Sequence, residues 1–224
     1  MKDEKLIERI ARRAALELKD GYCINLGVGL PVEVLKYIPK DVEIFLQSEN
    51  GILGMGPPAE KGKEKPELID AARNYVTIKP YGSFFDSAFS FGMIRGGHLD
   101  ATILGALEVD EEGNLANWNL PGRIGPGFGG GMDLAVGTKY VIVTTFHLTK
   151  NGKSKIKKKC TLPLTAKKAV NRIITDMAVM DVSYDPKEKG LILREVAPGY
   201  TIEDVVKATE AKLIIKNVEK WKTS

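Results

Sequence analysis

Near the start of the chain, apolar residues recur with a helical period. Ile7, Ile10, Ala11, Ala14 and Leu18 stand at offsets of 0, 3, 4, 7 and 11, which puts them on one face of a helix. The spacing predicts an amphipathic helix over residues 1–20, with Asp3 near its start and Asp20-Gly21 as its stop. YCINLGVGLP (22–31) then reads as a strand running into a Gly-rich turn, and Pro31 suits the first position of a helix over VEVLKYI (32–38). VEIFLQ (42–47) is a buried-strand pattern that breaks off at SENGILGMGPP (48–58), a stretch that predicts a rigid, tightly turned loop. Residues 59–67, AEKGKEKPE, read as an exposed loop. Strand patterns return at YVTI (75–78), ATILGALEV (101–109) and the β-branched YVIVTTF (140–146). Helical patterns return at AKKAVNRII (166–174) and TIEDVVKATE (201–210), the latter with Thr201 as N-cap and Asp204 as an acidic partner in a capping box. Strands alternating with helices predict an α/β fold: a single open, largely parallel sheet flanked by helices.

Composition keeps that picture and narrows the function. The 224 residues carry 33 Lys and Arg against 29 Asp and Glu, a net charge of +4, and 43% are apolar. This is ordinary globular composition, long enough for one core without staples, so residues 1–224 are expected to form one domain. The cysteines, Cys23 and Cys160, are too few for a disulfide framework or a zinc site and read as small packing groups in a reducing cytoplasm. No apolar run approaches a membrane span, and the charged start MKDEKLIERIARRAALELKDG does not resemble a signal peptide. A soluble, cytoplasmic chain with no membrane and no nucleic-acid partner is expected. KNGKSKIKKK (150–159) has six lysines in ten residues. Without interleaved aromatics it reads as a solvated hairpin, with attraction for a polyphosphate cofactor as the alternative.

The chemistry concentrates at Ser48-Glu49-Asn50-Gly51. An acid where a buried strand ends stands at the carboxyl edge of the sheet, where ligand crevices of open α/β folds lie. An unperturbed glutamate, with a pKa of about 4.3, is ionised at neutral pH and attacks a thioester without a general base. The alternative is an acid that caps its own turn. GRIGPGFGGGMDL (122–134), with six glycines in its first ten residues, reads either as a set of converging N–H groups for an oxyanion hole or as a flexible connector. Gly27-Val28-Gly29 before Pro31 either cradles a phosphate at a helix start or makes a bare turn. His98 and His147 read as turn or packing residues, and neither a triad pattern nor a spaced metal-ligand set is present. No metal site is expected.

SENGILGMGP (48–57), GSFFDSAFSFGMIRGGHLDATILGALEVDEEGNLANWNLPG (82–122), GGGMDL (129–134), KKCTLPLT (158–165) and RIITDMAVMDV (172–182) together resemble the β subunit of family I coenzyme A transferases, in order along essentially the whole chain. The resemblance implies ping-pong transfer of CoA from an acyl-CoA, such as succinyl-CoA or acetyl-CoA, to a free carboxylic acid such as a 3-oxoacid. It implies that Glu49 is the nucleophile and carries CoA as a thioester between the half-reactions. Gly130 matches the glycine whose amide helps form the oxyanion hole, and Asn25 matches an asparagine of the substrate pocket. Arg73 falls where related chains often carry a lysine that steers the acceptor carboxylate. Gly27, Gly29, Ser48 and Asn50 are implied beside the CoA chain. CoA is a co-substrate, with no permanently bound cofactor. A homologous α subunit is implied to complete the active site in a hetero-oligomer, for example α2β2. Ile69-Asp70-Ala71-Ala72-Arg73, Phe146 and GFGGGMDL (127–134) depart from the usual pattern and leave the acceptor open among acetoacetate, 3-oxoadipate and short-chain acids. The rivals are an acyl-CoA thioester hydrolase and a non-catalytic small-molecule sensor on a related scaffold.

Overall fold

The computed structural model describes residues 2–120, 122, 127 and 129–223. Helix α1 (Lys2–Ala15) leads to strand β1 (Cys23–Leu26), short helix α2 (Leu30–Glu33) with Pro31 in its first turn, and a 3₁₀ turn over Val34–Tyr37. Strands β2 (Phe45–Ser48), β3 (Ile52–Pro58) and β4 (Val76–Phe84) precede α3 (Ser87–Arg95). Then come β5 (Ala101–Gly105), β6 (Glu108–Asp110), β7 (Leu115–Ala116), α4 (Gly131–Gly137) and β8 (Val141–Thr144). The chain closes with β9 (Ile156–Lys157), β10 (Arg172–Ile174), β11 (Ala178–Ser183), β12 (Gly190–Val196), α5 (Ile202–Ala208) and β13 (Leu213–Lys220).

Among the described residues, ten strands form one open sheet in the order β13-β12-β11-β10-β8-β5-β1-β2-β3-β4. The central run β10-β8-β5-β1-β2 is parallel throughout, as is the β12–β13 pair. The remaining pairs, on the flanks of that run, are antiparallel. Neighbouring residues face opposite cores. Val141, Val143 and Ile173 join Leu134, Met180 and Val205 on one side. Ile142 and Ile174 join Ile10, Ala11 and Ala14 of α1 on the other. Continuous β-branched runs are what a strand covered on both faces requires. The expected helix–sheet–helix layering is therefore present. A small second sheet, β7-β6-β9, stands beside the main one because ATILGALEV splits after Gly105 into β5 and β6.

Three local readings need correction. The first helix ends at Ala15 rather than residue 20: Glu17 and Leu18 bond back three residues, to the Ala14 and Ala15 carbonyls, which tightens and closes it. SENGILGMGPP is a hairpin turn followed by strand β3, whose register shifts twice against β4, at Leu53/Met55 and Met55/Pro58; bulges accommodate glycines and prolines that regular strands reject. AKKAVNRII is not helical. Lys168 adopts a left-handed φ of 49°, Ala169 and Val170 donate to the Gly113 carbonyl, and Arg172–Ile174 pair with β8. Its buried Ala166, Val170, Ile173 and Ile174 mimic a helical period only by chance of packing. The TIEDVVKATE helix does form, with both capping-box bonds between Thr201 and Asp204.

A buried ion network ties α1 to the antiparallel flank. Arg13, 1% exposed, makes a bidentate pair with Glu195 at 2.7 and 2.8 Å and a third contact to Glu17 at 2.6 Å. Glu17 also receives Arg172, which shares Asp181 with Arg194. Burial alone pushes Glu195 up, but bonds from Arg13 and the Lys222 N–H outweigh it and hold the carboxyl below its usual range.

His147 is a neutral core residue. Its ring nitrogens Nδ1 and Nε2 lie 2.9 Å from the hydroxyls of Thr175 and Thr209. Burial pushes its pKa down to about 4. An unfolded histidine binds a proton near pH 6.5. The unfolded chain therefore holds more protons than the folded one between these values, and stability falls as pH drops through that window. The shift corresponds to about 3 kcal/mol at most, from ~1.4 kcal/mol per pH unit. Denaturant titrations at pH 7 and pH 4.5 are expected to show a smaller stability difference in His147→Gln than in the parent; an equal difference contradicts this assignment.

Candidate active site

The carboxyl ends of β1, β2 and β5 open into a cleft of about 840 Å³. This edge is where a parallel sheet exposes its loops. Glu49, the first residue after β2, projects from the hairpin turn, in which the Gly51 N–H donates to the Ser48 carbonyl at 3.0 Å. Gly51 has φ 121°, and a Cβ there would lie 2.0 Å from the Phe85 carbonyl oxygen. Only glycine fits, so the turn that aims Glu49 is set by backbone sterics.

Two groups meet the Glu49 carboxylate. Asn25 Nδ2 lies 3.4 Å from Oε2, and on the other side a Cβ at Gly130 would stand 2.9 Å from Oε1. Gly130 has an ordinary φ of −81°, so its glycine is a matter of close approach and not of backbone conformation. It immediately precedes α4, and its N–H has no backbone acceptor among the described residues, as holds for the first donors of any helix.

The loop before β4 forms the opposite wall. The Ala71 N–H donates to Ser48 Oγ at 3.0 Å and Asn50 Nδ2 donates to the Ile69 carbonyl at 2.7 Å, which clamps residues 69–71 to the hairpin. Asp70 caps the next turn through the Asn74 N–H and Nδ2. Arg73 sits on that turn with φ 67°, a left-handed conformation uncommon for a residue with a side chain. It lines the cleft and makes no ion pair among the described residues.

Asn25, Gly27, Ser48, Glu49, Arg73 and Gly130 are thus brought together. Gly29 and Asn50 are not part of the lining. Gly29 is exposed and uses φ 86° to enter α2, while Asn50 spends its amide on Ile69. Of the glycine-rich run, Gly127 and Gly129–Gly131 border the cleft; residues 123–126 and 128 lie outside the described residues. Sequence reasoning missed Gln47, Asp70, Leu107, Asn117 and Trp118, which also line it. For Gln47 a signal existed, an uncharged polar side chain at the end of the predicted strand VEIFLQ, two residues before Glu49.

The lysine-rich segment divides. Lys150 and Lys153 are exposed on a turn closed by Thr149 N–H to Lys153 O, as a solvated hairpin requires. Lys155 instead turns inward and donates to the Ala106 carbonyl, on the cleft floor, and to Thr145 Oγ1; burial pushes its pKa down to about 8. His98 is exposed just beyond α3. Cys23 and Cys160 are free thiols, partly buried, and burial pushes both up, Cys23 to about 11.

Comparison with known proteins shows the family. Residues 7–208 match the family model described as coenzyme A transferase. The chain is 48% identical over 208 residues to one subunit of the probable succinyl-CoA:3-ketoacid coenzyme A transferase of Bacillus subtilis, covering 93% of this chain and 94% of that one. It is 50% identical over 208 residues to the acetate CoA-transferase subunit beta of Haemophilus influenzae, covering 93% and 91%. Among solved structures, an acyl-CoA transferase apoenzyme from Escherichia coli O157:H7 superimposes with a TM-score of 0.72 at 24% identity, covering 96% of this chain but 42% of that longer one. That likeness carries the fold alone.

Proposed function

The chain belongs to the coenzyme A transferase family as a chain of the β-subunit type, and from that premise we propose that it transfers CoA by ping-pong chemistry through a thioester on Glu49. Glu49 attacks the carbonyl carbon of the donor acyl-CoA; the C–S bond breaks, leaving an acyl–glutamyl anhydride and a CoA thiolate. The thiolate attacks the glutamyl carbonyl, forms the enzyme–CoA thioester and expels the donor carboxylate. An acceptor carboxylate attacks that thioester, and the thiolate then attacks the acceptor carbonyl of the new anhydride. Free Glu49 and the new acyl-CoA result. No proton or redox equivalent is consumed.

One observation carries this reading: the Glu49 carboxylate stands at the cleft wall between a side-chain amide donor and a backbone with no side chain in the way. The Gly130 N–H supplies an oxyanion donor for the tetrahedral stages. Asn25 holds the carboxylate, and the Arg73 guanidinium, in no ion pair among the described residues, receives the acceptor acid as a bidentate partner. Gly27 and Ser48 leave room for the thiol end of CoA, the co-substrate. Gly29 and Asn50 act one step back, through the α2 entry and the 69–71 loop. Succinyl-CoA or acetyl-CoA as donor and a 3-oxoacid as acceptor fit the names of the relatives. Residues 1–224 form one subunit domain in this reading. It works in the cytoplasm with a homologous α subunit, as an α2β2 assembly, which supplies the remaining wall of the open cleft.

Transfer and hydrolysis separate by product. The protein, assembled with its α subunit, is given acyl-CoA with and without acetoacetate or acetate. New acyl-CoA that appears only with the acceptor supports transfer. Release of free CoA at the same rate in both samples makes the chain a hydrolase component, and binding without turnover makes it a sensor.

A further inference from the structure

Behind the reacting carboxylate, three polar side chains are sealed into the sheet: Asn25 and Gln47 are each 1% exposed, and Ser90, on α3, is fully buried. Polar groups so placed are unfavourable unless hydrogen-bonded, and an apolar core would fill the space more readily. They are joined in one chain. Ser90 Oγ donates to the Ser48 carbonyl at 3.4 Å, Gln47 Nε2 donates to Ser90 Oγ at 2.7 Å, and Asn25 Nδ2 donates to Gln47 Oε1 at 2.6 Å.

Resting on the reading of Glu49 as nucleophile, we propose that Gln47 and Ser90 are positioning residues that fix the Asn25 amide so that its donor faces Glu49. An asparagine amide has two orientations related by a flip. As placed, Nδ2 faces three acceptors: the Gln47 carbonyl at 3.1 Å, Gln47 Oε1 and Glu49 Oε2. Flipped, Asn25 would aim Oδ1 at all three. Turning Gln47 as well relieves only one of these, and still leaves Oδ1 against the Gln47 carbonyl and the Glu49 carboxylate. Ser90 holds Gln47 in the favoured orientation by accepting from Nε2. Among the described residues, the arrangement leaves Asn25 Oδ1 buried with no partner. An unsatisfied buried acceptor calls for an explanation, and donor duty toward Glu49 supplies one. With Oε2 engaged by Asn25, Oε1 beside Gly130 is the oxygen free to attack.

Gln47→Met keeps the volume and removes both bonds. In the enzyme assembled with its α subunit, it is expected to lower kcat roughly 10- to 100-fold, the scale of a small misplacement of a reacting group, with KM for acyl-CoA within about 2-fold, since contacts along CoA are untouched. The decisive reading is a cycle with Asn25→Ala: if Gln47 acts through Asn25, the double variant is no slower than Asn25→Ala alone. Ser90→Ala, a smaller change, is expected to lower kcat in the same direction and to add nothing to Gln47→Met; it serves if Gln47→Met does not fold. Wild-type kcat in Gln47→Met and Ser90→Ala, or a Gln47→Met loss that multiplies fully with Asn25→Ala, overturns the proposal while leaving Glu49 chemistry intact. An assembled parent enzyme without transfer activity sinks both.

Discussion

Glu49→Gln is expected to abolish CoA transfer in the assembled enzyme, with a loss on the order of 10⁴-fold or more, while the protein keeps its melting temperature to within a few degrees. The amide is isosteric but is not a competent nucleophile, and losing a nucleophile from a covalent mechanism removes the pathway itself. Folding should be spared because Glu49 is only partly buried and its described hydrogen bond is the long one from Asn25 at 3.4 Å. The check pairs steady-state transfer rates with thermal unfolding. Residual transfer above about one-hundredth of the parent rate, well above what nucleophile loss allows, contradicts the assignment. The first half-reaction tightens the test, because Glu49→Gln should release no CoA from acyl-CoA even in the absence of acceptor.

Gly130→Ala is expected to be the second most damaging change, and for a steric reason specific to this site. Its φ of −81° is open to alanine, so backbone strain does not enter. The new methyl, however, would stand 2.9 Å from Glu49 Oε1 and 3.0 Å from Cδ. A flexible side chain yields before a packed helix does, so Glu49 swings aside. Moving a reacting group by about 1 Å costs on the order of 10²-fold, and the whole loss of an oxyanion donor costs at most about 10³-fold. A fall in kcat of roughly 10²–10³-fold with little change in stability is therefore expected. Gly51→Ala makes a contrast by mechanism. There the clash at 2.0 Å is with the Phe85 carbonyl, which is backbone, so stability should fall along with activity. If Gly130→Ala destabilises the fold but leaves kcat of the folded fraction unchanged, the close approach to Glu49 has no catalytic meaning.

Much of the architecture was legible because the signals were local. The period of Ile7, Ile10, Ala11 and Ala14 predicts the face that α1 buries, and the β-branched run at 140–146 predicts a strand, which the fold covers on both sides. Thr201 and Asp204 predict their own cap. What was lost depended on distant partners. Gly54, Gly56 and the prolines of β3 are admitted to a strand only by its irregular pairing with β4, and the backbone N–H groups of 169–171 are claimed by the Gly113 and Val141 carbonyls. Neither arrangement is written in a local window. The site followed the same rule. The apolar strand that stops at Glu49 marks the carboxylate, but the Asn117 and Trp118 wall comes from a different part of the chain and is assembled only by the fold. Lys155 shows the converse: composition places it in a solvated cluster, and the fold turns it inward toward the Ala106 carbonyl.

The most direct measurement is peptide mass mapping of the assembled enzyme after brief incubation with acyl-CoA and no acceptor. The account predicts a CoA adduct, less one water, on the peptide containing Glu49, lost on adding an acceptor acid and absent in Glu49→Gln. An adduct on another residue, or turnover with Glu49 never modified under any trapping condition, contradicts it.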